Sequence, residues 1–272
     1  MKKQLFLKFQ AAFGVPLLMA LAPICQAAQP KDFAPPEVFQ AAGPTASSIQ
    51  SSVDQFRDAL GDPNGNTGPQ ISGRREINWD GGNVNIVTTT DPVTPFNVFL
   101  NNRGAQFTTP GLGLSQATPA GLAVLFGNPT YGTAFSTFSP SRLFTPVGSN
   151  VTEALFFQPG SNGNVPATVT GFGAVFTDVD QPDGSGPSKK RGNRGASTLI
   201  EYFGVDGKVL YSSFVPASPG DGSLSFLGIL FDEPLIARVR ITTGDTAPGP
   251  DDDRSQDIVV MDDFIYGEPQ PL

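Results

Sequence analysis

Five aspartates are the strongest candidates for chemistry in this sequence. Asp178 and Asp180 close an apolar stretch, VTGFGAVFTDVD, with Asp183 close behind. Asp262 and Asp263 sit inside IVVMDDFIYG, an otherwise apolar run. Asp80 follows Trp79 in INWDGG. A carboxylate inside an apolar strand is costly unless it is paired or bound to a cation. Ca²⁺ answers that need with six to eight oxygen ligands drawn from carboxylates and loop carbonyls. Asp178, Asp180, Asp262, Asp263 and Asp80 are therefore expected to hold a structural calcium ion. No contiguous EF-hand loop is present. A strand period of two puts Asp262 on the face of Val260 and Phe264, and Asp263 on that of Met261 and Ile265. Arg238 or Arg240 is the competing partner for whichever carboxylate is buried.

The missing residue types narrow the chemistry further. The chain has no histidine and one cysteine, Cys25. Triads built on Ser-His-Asp or Cys-His, and zinc sites built on His or Cys, are excluded. Carboxylate, hydroxyl, lysine and backbone remain. A glycosidase would need two carboxylates at a fixed separation. Glu153 and Glu201, both expected in strands, are the available pair. An aromatic platform for sugars could draw on Trp79, Tyr131, Tyr202, Tyr211 and Tyr266.

Two charge runs stand apart from these. Asp251, Asp252 and Asp253 lie in the loop TTGDTAPGPDDDR and read as a solvated turn. Lys189, Lys190, Arg191 and Arg194 lie in GSGPSKKRGNRG, a loop composition that usually forms a solvated connection.

The first 28 residues read as a secretory leader. Lys2, Lys3 and Lys8 precede a short apolar run over Phe13–Leu21, and small residues surround Ala27. That run is too short to span a bilayer. The leader holds three of the 17 basic residues and none of the 25 acids. Its removal takes the net charge from −8 to −11. A chain this acidic disfavours nucleic acid and anionic membrane as general partners. Stable membrane insertion is not expected, and the expected location is periplasmic or extracellular.

The elements that must position the acids are mostly strands. After an extended Pro/Ala-rich stretch comes one helix over 46–60. Its Ile49, Val53, Phe56 and Leu60 form one apolar stripe, Thr45 or Ser47 can cap it, and Gly61 ends it. Residues 61–73 read as a linker. Strands are expected over 76–79, 104–108, 142–145, 151–157, 167–177, 198–203, 208–215, 224–231, 236–242 and 257–266. Val205-Asp206-Gly207 supplies a hairpin turn. Residues 110–140 give no clear assignment. Short strands at this spacing, with no helices between them, predict an antiparallel sandwich. The division is then leader 1–28, extension 29–73, sandwich 74–268 and tail 269–272.

Four stretches carry a resemblance to a known fold family. They are INWDGG with the later NRGAQFTTPG, then VTGFGAVFTDVD, then TLIEYFGVDGKVLYSSFV, and finally IARVRITTG with IVVMDDFIYGE. Their order resembles the jelly-roll sandwiches of exported bacterial proteins, the galactose-binding-like or carbohydrate-binding modules. The resemblance implies an all-β antiparallel jelly roll behind one N-terminal amphipathic helix, with calcium between loops near the first and last strands. Similar domains end in a sorting signal, which GEPQPL does not resemble. The function expected is a non-catalytic binding or surface-interaction module, stabilised by calcium, with a glycan or cell-surface component as partner. The alternatives are a carboxylate-dependent glycan hydrolase or lyase, and a structural envelope protein without a small ligand.

Overall fold

The computed structural model describes residues 33–81, 92–181, 198–250 and 256–272. Antiparallel strands dominate, arranged in two main sheets with four helices among the described residues. The larger sheet runs β1 (Glu37–Gly43), β11 (Leu224–Leu230), β8 (Gly171–Thr177), β13 (Val260–Gly267), β5 (Leu143–Val147), β4 (Gly113–Ala117). Strand β2 (Arg74–Ile77) adds to the free end of β13. The smaller sheet runs β10 (Val209–Phe214), β9 (Leu199–Phe203), β12 (Arg238–Thr242), β6 (Val151–Phe156), β3 (Ala105–Thr108). A short pair, β7 (Ala167–Thr168) with β14 (Gln270–Pro271), stands apart.

The two sheets face each other across the main core. Phe172, Ala174 and Phe176 of β8 meet Ile200 and Tyr202 of β9 and Val239 and Ile241 of β12 there. These are the residues that alternate along each strand, so period-two patterning explains this layer.

A second layer covers the other face of the larger sheet. Helix α1 (Ala46–Leu60) buries Ile49, Val53, Phe56 and Leu60 against Phe39, Val175, Phe226 and Ile265. β8 and β13 are therefore buried along their whole length. The helix ends at Gly61, whose positive φ lets its N–H reach the carbonyls of Arg57 and Asp58. Thr45 occupies the N-cap position without capping it. Its hydroxyl meets those of Ser47 and Ser48 rather than a backbone N–H.

Phe56 lies over two glycines. Gly173 of β8 and Gly228 of β11 face each other in the ladder. A Cβ on Gly173 would come within 2.9 Å of the Phe56 ring, and one on Gly228 within 3.1 Å. The missing side chains let the helix approach the sheet closely.

The stretch without a clear assignment holds β4, α3 (Pro119–Phe126) and α4 (Tyr131–Ala134). Thr118 caps α3 by accepting from the Gly121 N–H. Leu122, Phe126, Tyr131 and Phe135 form a third cluster with Leu143, Ile258 and Val260. Within the Pro/Ala-rich stretch, Glu37–Gly43 forms strand β1, paired along its length with β11.

Residues 61–73 are fastened to the sandwich by one ion pair. Arg75 and Glu268 are both buried, joined by contacts of 2.5 and 2.7 Å. Arg75 also donates to the carbonyls of Gly65, Thr67 and Gly68. Glu268 accepts from Asn64 and from the Gln70 N–H.

Candidate functional site

The five aspartates divide into two places. Asp80, Asp262 and Asp263 come together on the outer side of the larger sheet, beneath α1. Asp180 lies elsewhere, bonded to the Gly220 N–H and, through its own N–H, to Asp257. Asp178 precedes it in a left-handed backbone conformation, φ 70°. Among the described residues, no three His, Cys, Asp or Glu side chains are gathered as a ready metal-ligand group.

A β-bulge creates the first group. Met261 pairs with Phe176 and Phe264 with Ala174, so β13 spends one residue more than β8 over the same stretch. Asp262 and Asp263 are the residues in the bulge. The period-two face assignment fails here for that reason. Met261 and Phe264 both enter the inter-sheet core, whereas Val260 and Ile265 face the other way. Both carboxylates find their partners near α1.

Those partners are already donors. Asp262 is fully buried and its Oδ2 accepts the Phe138 N–H at 2.6 Å. Asp263 accepts the Ser139 hydroxyl at 2.5 Å and Arg57 Nη2 at 3.3 Å. Asp80 Oδ1 accepts the N–H groups of Ser141 and Arg142 at 2.5 and 2.8 Å. The Ser139 hydroxyl bridges Asp263 and Asp80. Arg57 continues the network to Glu76, which also holds Arg74 at 2.6 Å. Arg238 and Arg240, the partners considered from sequence, instead hold Glu153.

Burial pushes the Asp262 carboxyl well above the ordinary range, and the charge of Asp263 beside it adds to the effect. Asp263 is raised by burial too, against the opposing pull of Ser139 and Arg57. The arrangement is a buried carboxyl whose charged form burial opposes, next to one held by a hydroxyl and a guanidinium. Asp262 Oδ1 is buried without a hydrogen-bond partner, whereas the other carboxylate oxygens of the group accept N–H or O–H donors.

The second group was not read from the sequence as a set. Asp257 is 2 % exposed. Its Oδ1 accepts the Asp180 N–H, and its own N–H donates to Asp245 Oδ1 at 2.9 Å. Burial, with the charges of Asp180 and Asp245, pushes Asp257 up to about 7, against the amides of Asp180 and Gln181. Burial raises Asp245 as well. Asp245 and Asp257 come from loops on either side of a long connection, so spacing gave no signal for their meeting.

The outer face of the smaller sheet is the third place of interest. Glu153, Arg240 and Glu201 stand side by side on β6, β12 and β9. Arg238 and Arg240 both donate to Glu153 Oε1, at 2.6 and 2.7 Å. Arg238 also lies 3.9 Å over the Phe203 ring. The two glutamates are separated by two strand spacings, about 9.6 Å of backbone with an arginine between them. Glycosidase carboxyls stand roughly 5–9.5 Å apart with the substrate between them. This row has neither the opening nor a free pair of acids.

The aromatic candidates are mostly core. Trp79, Tyr131, Tyr202 and Tyr266 are fully buried. Trp79 stacks on Phe144 with ring centroids 3.7 Å apart. Asp183, the basic loop residues Lys189, Lys190, Arg191 and Arg194, the run Asp251–Asp253 and the leader lie outside the described residues. No helix among the described residues is long and apolar enough to cross a membrane. Comparison with family models, curated proteins and solved structures finds no match.

Proposed function

We propose that this chain is an exported, non-catalytic jelly-roll module that binds its ligand on the outer face of the five-stranded sheet. The jelly-roll reading is supported by strand order. β5-β13-β8-β11 stacked on β6-β12-β9-β10 gives two four-stranded antiparallel sheets. Among these eight, strands that follow one another in the chain alternate between the sheets except at the β9–β10 hairpin. That is the connectivity of two Greek keys wound together.

The observation that carries the binding reading is the charged row of Glu153, Arg240 and Glu201 across the outer face of the smaller sheet. Among the described residues, helix α1 packs on β1, β11 and β13 and helix α3 on β4, all strands of the larger sheet. The row sets one guanidinium between two carboxylates, with the side chain of Arg240 41 % exposed. Planar donors and acceptors on a rigid sheet suit a hydroxyl-rich ligand, which supports a glycan or a glycosylated cell-surface component. Burial of Trp79 and three of the four tyrosines means that such binding would rest on hydrogen bonds more than on ring stacking.

Titration of the purified chain with a panel of neutral, amino and acidic oligosaccharides, followed by NMR, tests this. Shifts confined to β6, β9 and β12, lost in R240A and E201A and kept in D263N, are expected. No shift with any member of the panel, or shifts elsewhere, would overturn it. Export is tested separately by intact mass after secretion. Loss of about 27 or 28 residues is expected from the lysine-rich start and the small residues around Ala27.

A further inference from the structure

We propose that Glu201 makes the outer face of the smaller sheet selective for a glycan that carries a free amine, whose ammonium group pairs with this carboxylate. The inference rests on the glycan reading above and names the chemical class of the sugar.

The charges of the row are shared unevenly. Arg240 stands opposite Glu153 on one side and opposite Glu201 on the other. Its Nε and Nη2 both donate to Glu153 Oε1, at 2.9 and 2.7 Å. Arg238 Nη1 donates to the same oxygen at 2.6 Å, and its guanidinium is held 3.9 Å over the Phe203 ring. Both arginines are thus committed to Glu153. Among the described residues, Glu201 has no hydrogen bond or ion pair of its own.

The surroundings of Glu201 sharpen this imbalance. Ile200 and Tyr202 enter the core, so Leu199, Glu201 and Phe203 share the outer face. Leu199 pairs with Phe214 and Phe203 with Val209, which sets apolar side chains on both sides of Glu201 along the strand. Glu201 is half-buried, with its carboxylate still open to solvent. A partly desolvated carboxylate without a donor gains most from a cation that brings its own N–H groups. An ammonium on a sugar ring is such a cation. The apolar face of the ring can lie on Leu199 while its hydroxyls meet the exposed guanidinium of Arg240. An acidic sugar would meet the unanswered carboxylate instead, and like charges brought together select against it.

The test titrates the full purified chain with a glucosamine trimer and with its N-acetylated counterpart. A pH of about 5.5 keeps the amine protonated, and salt at about 0.15 M screens general attraction to an acidic chain. The free-amine trimer should bind at least roughly tenfold more tightly, as expected for a hydrogen bond between charged groups. Its NMR shifts should centre on Glu201. E201Q keeps the shape, removes the charge and should lose the preference. It should melt with the parent, because Glu201 answers no group within the chain. D58N removes an equal charge from the exposed side of α1 and should keep the preference. Equal binding of the two trimers on this face would overturn amine selectivity and leave the glycan face standing. Absence of binding by every oligosaccharide would remove both. A lysine tripeptide that binds as tightly as the free-amine trimer, with the same loss in E201Q, would also overturn the proposal, since the face would then read basic peptide and not sugar.

Discussion

Trp79 donates its indole N–H to the main-chain carbonyl of Asp262 at 2.9 Å. The bond answers a problem that the bulge creates. An extra residue in β13 leaves a backbone group out of the ladder, and a buried carbonyl without a donor is costly. Trp79 reaches it from a left-handed backbone conformation, φ 63°, that non-glycine residues seldom adopt. The same ring stacks on Phe144 and meets Phe107 and Phe264 edge-on. One residue thus ties the core between the sheets to the acidic group outside them.

Replacing Trp79 by Phe keeps most of the aromatic packing and removes the donor. The Asp262 carbonyl is then buried and unsatisfied. A loss of about 1–3 kcal/mol is expected for that bond, with further cost from the smaller ring. Urea unfolding measures it. A W79F protein within 0.5 kcal/mol of the parent (roughly the scatter of neutral surface changes) would show that the carbonyl finds another donor.

Phe56 of α1 and the glycines beneath it make a coupled set. F56A should cost about 3–5 kcal/mol, the range for a buried phenylalanine. G173A should cost roughly 1–3 kcal/mol, because its new methyl meets the ring that the glycine admits. The double variant G173A/F56L should cost less than the two single changes together, since the smaller side chain yields to the methyl. Strict additivity in urea melts would place the two effects in separate regions, contrary to the packing seen.

How far the sequence announced this architecture can be judged from the same residues. The stripe Ile49, Val53, Phe56, Leu60 marks a helix, and alternation along Phe172, Ala174, Phe176 marks an inner strand face, because side-chain direction is set by backbone period. Strand β1, EVFQAAG, carries no alternating pattern of strand formers, and its alanines favour helix, so it is a strand through its pairing with β11. Helix α3 is apolar on nearly every side, so it shows no period to read. At Asp262 the period itself misleads, because one inserted residue reverses the faces after Met261. Asp245 and Asp257 meet only through loop closure, which no local pattern encodes.

The Asp262 carboxyl, whose charged form is opposed by burial and by Asp263 beside it, should tolerate its amide. In D262N the side-chain oxygen still accepts the Phe138 N–H, and the new N–H₂ can donate toward Asp263. Because the folded Asp262 carboxyl is raised above its unfolded value, the parent loses stability relative to D262N as pH rises above about 4, so D262N is expected to gain on the parent between pH 5 and pH 8. D262A removes the acceptor and strands the Phe138 N–H, at about 1–3 kcal/mol. Unfolding curves for both variants at the two pH values decide the matter. Equal losses in D262N and D262A at pH 8 would mean that the charged form is the one the fold requires.

Asp257 gives a pH dependence with a definite sign. Its carboxyl is pushed up to about 7 by burial and by the charges of Asp180 and Asp245. An unfolded aspartate titrates near 3.9. Between those values the folded state keeps a proton that the unfolded state has lost. Stability from this group is therefore complete below about pH 4, declines as pH rises through about 7, and is flat beyond. Each pKa unit is worth about 1.4 kcal/mol, so the total is of order a few kcal/mol. An asparagine at this position cannot ionise. The difference in stability between D257N and the parent, measured by urea unfolding in EDTA, should thus move in favour of D257N from pH 4 to 7 and then level off. Parallel curves for parent and variant across pH 4–8 in EDTA would show that Asp257 ionises near its ordinary value, and that its buried oxygen is already satisfied in solution.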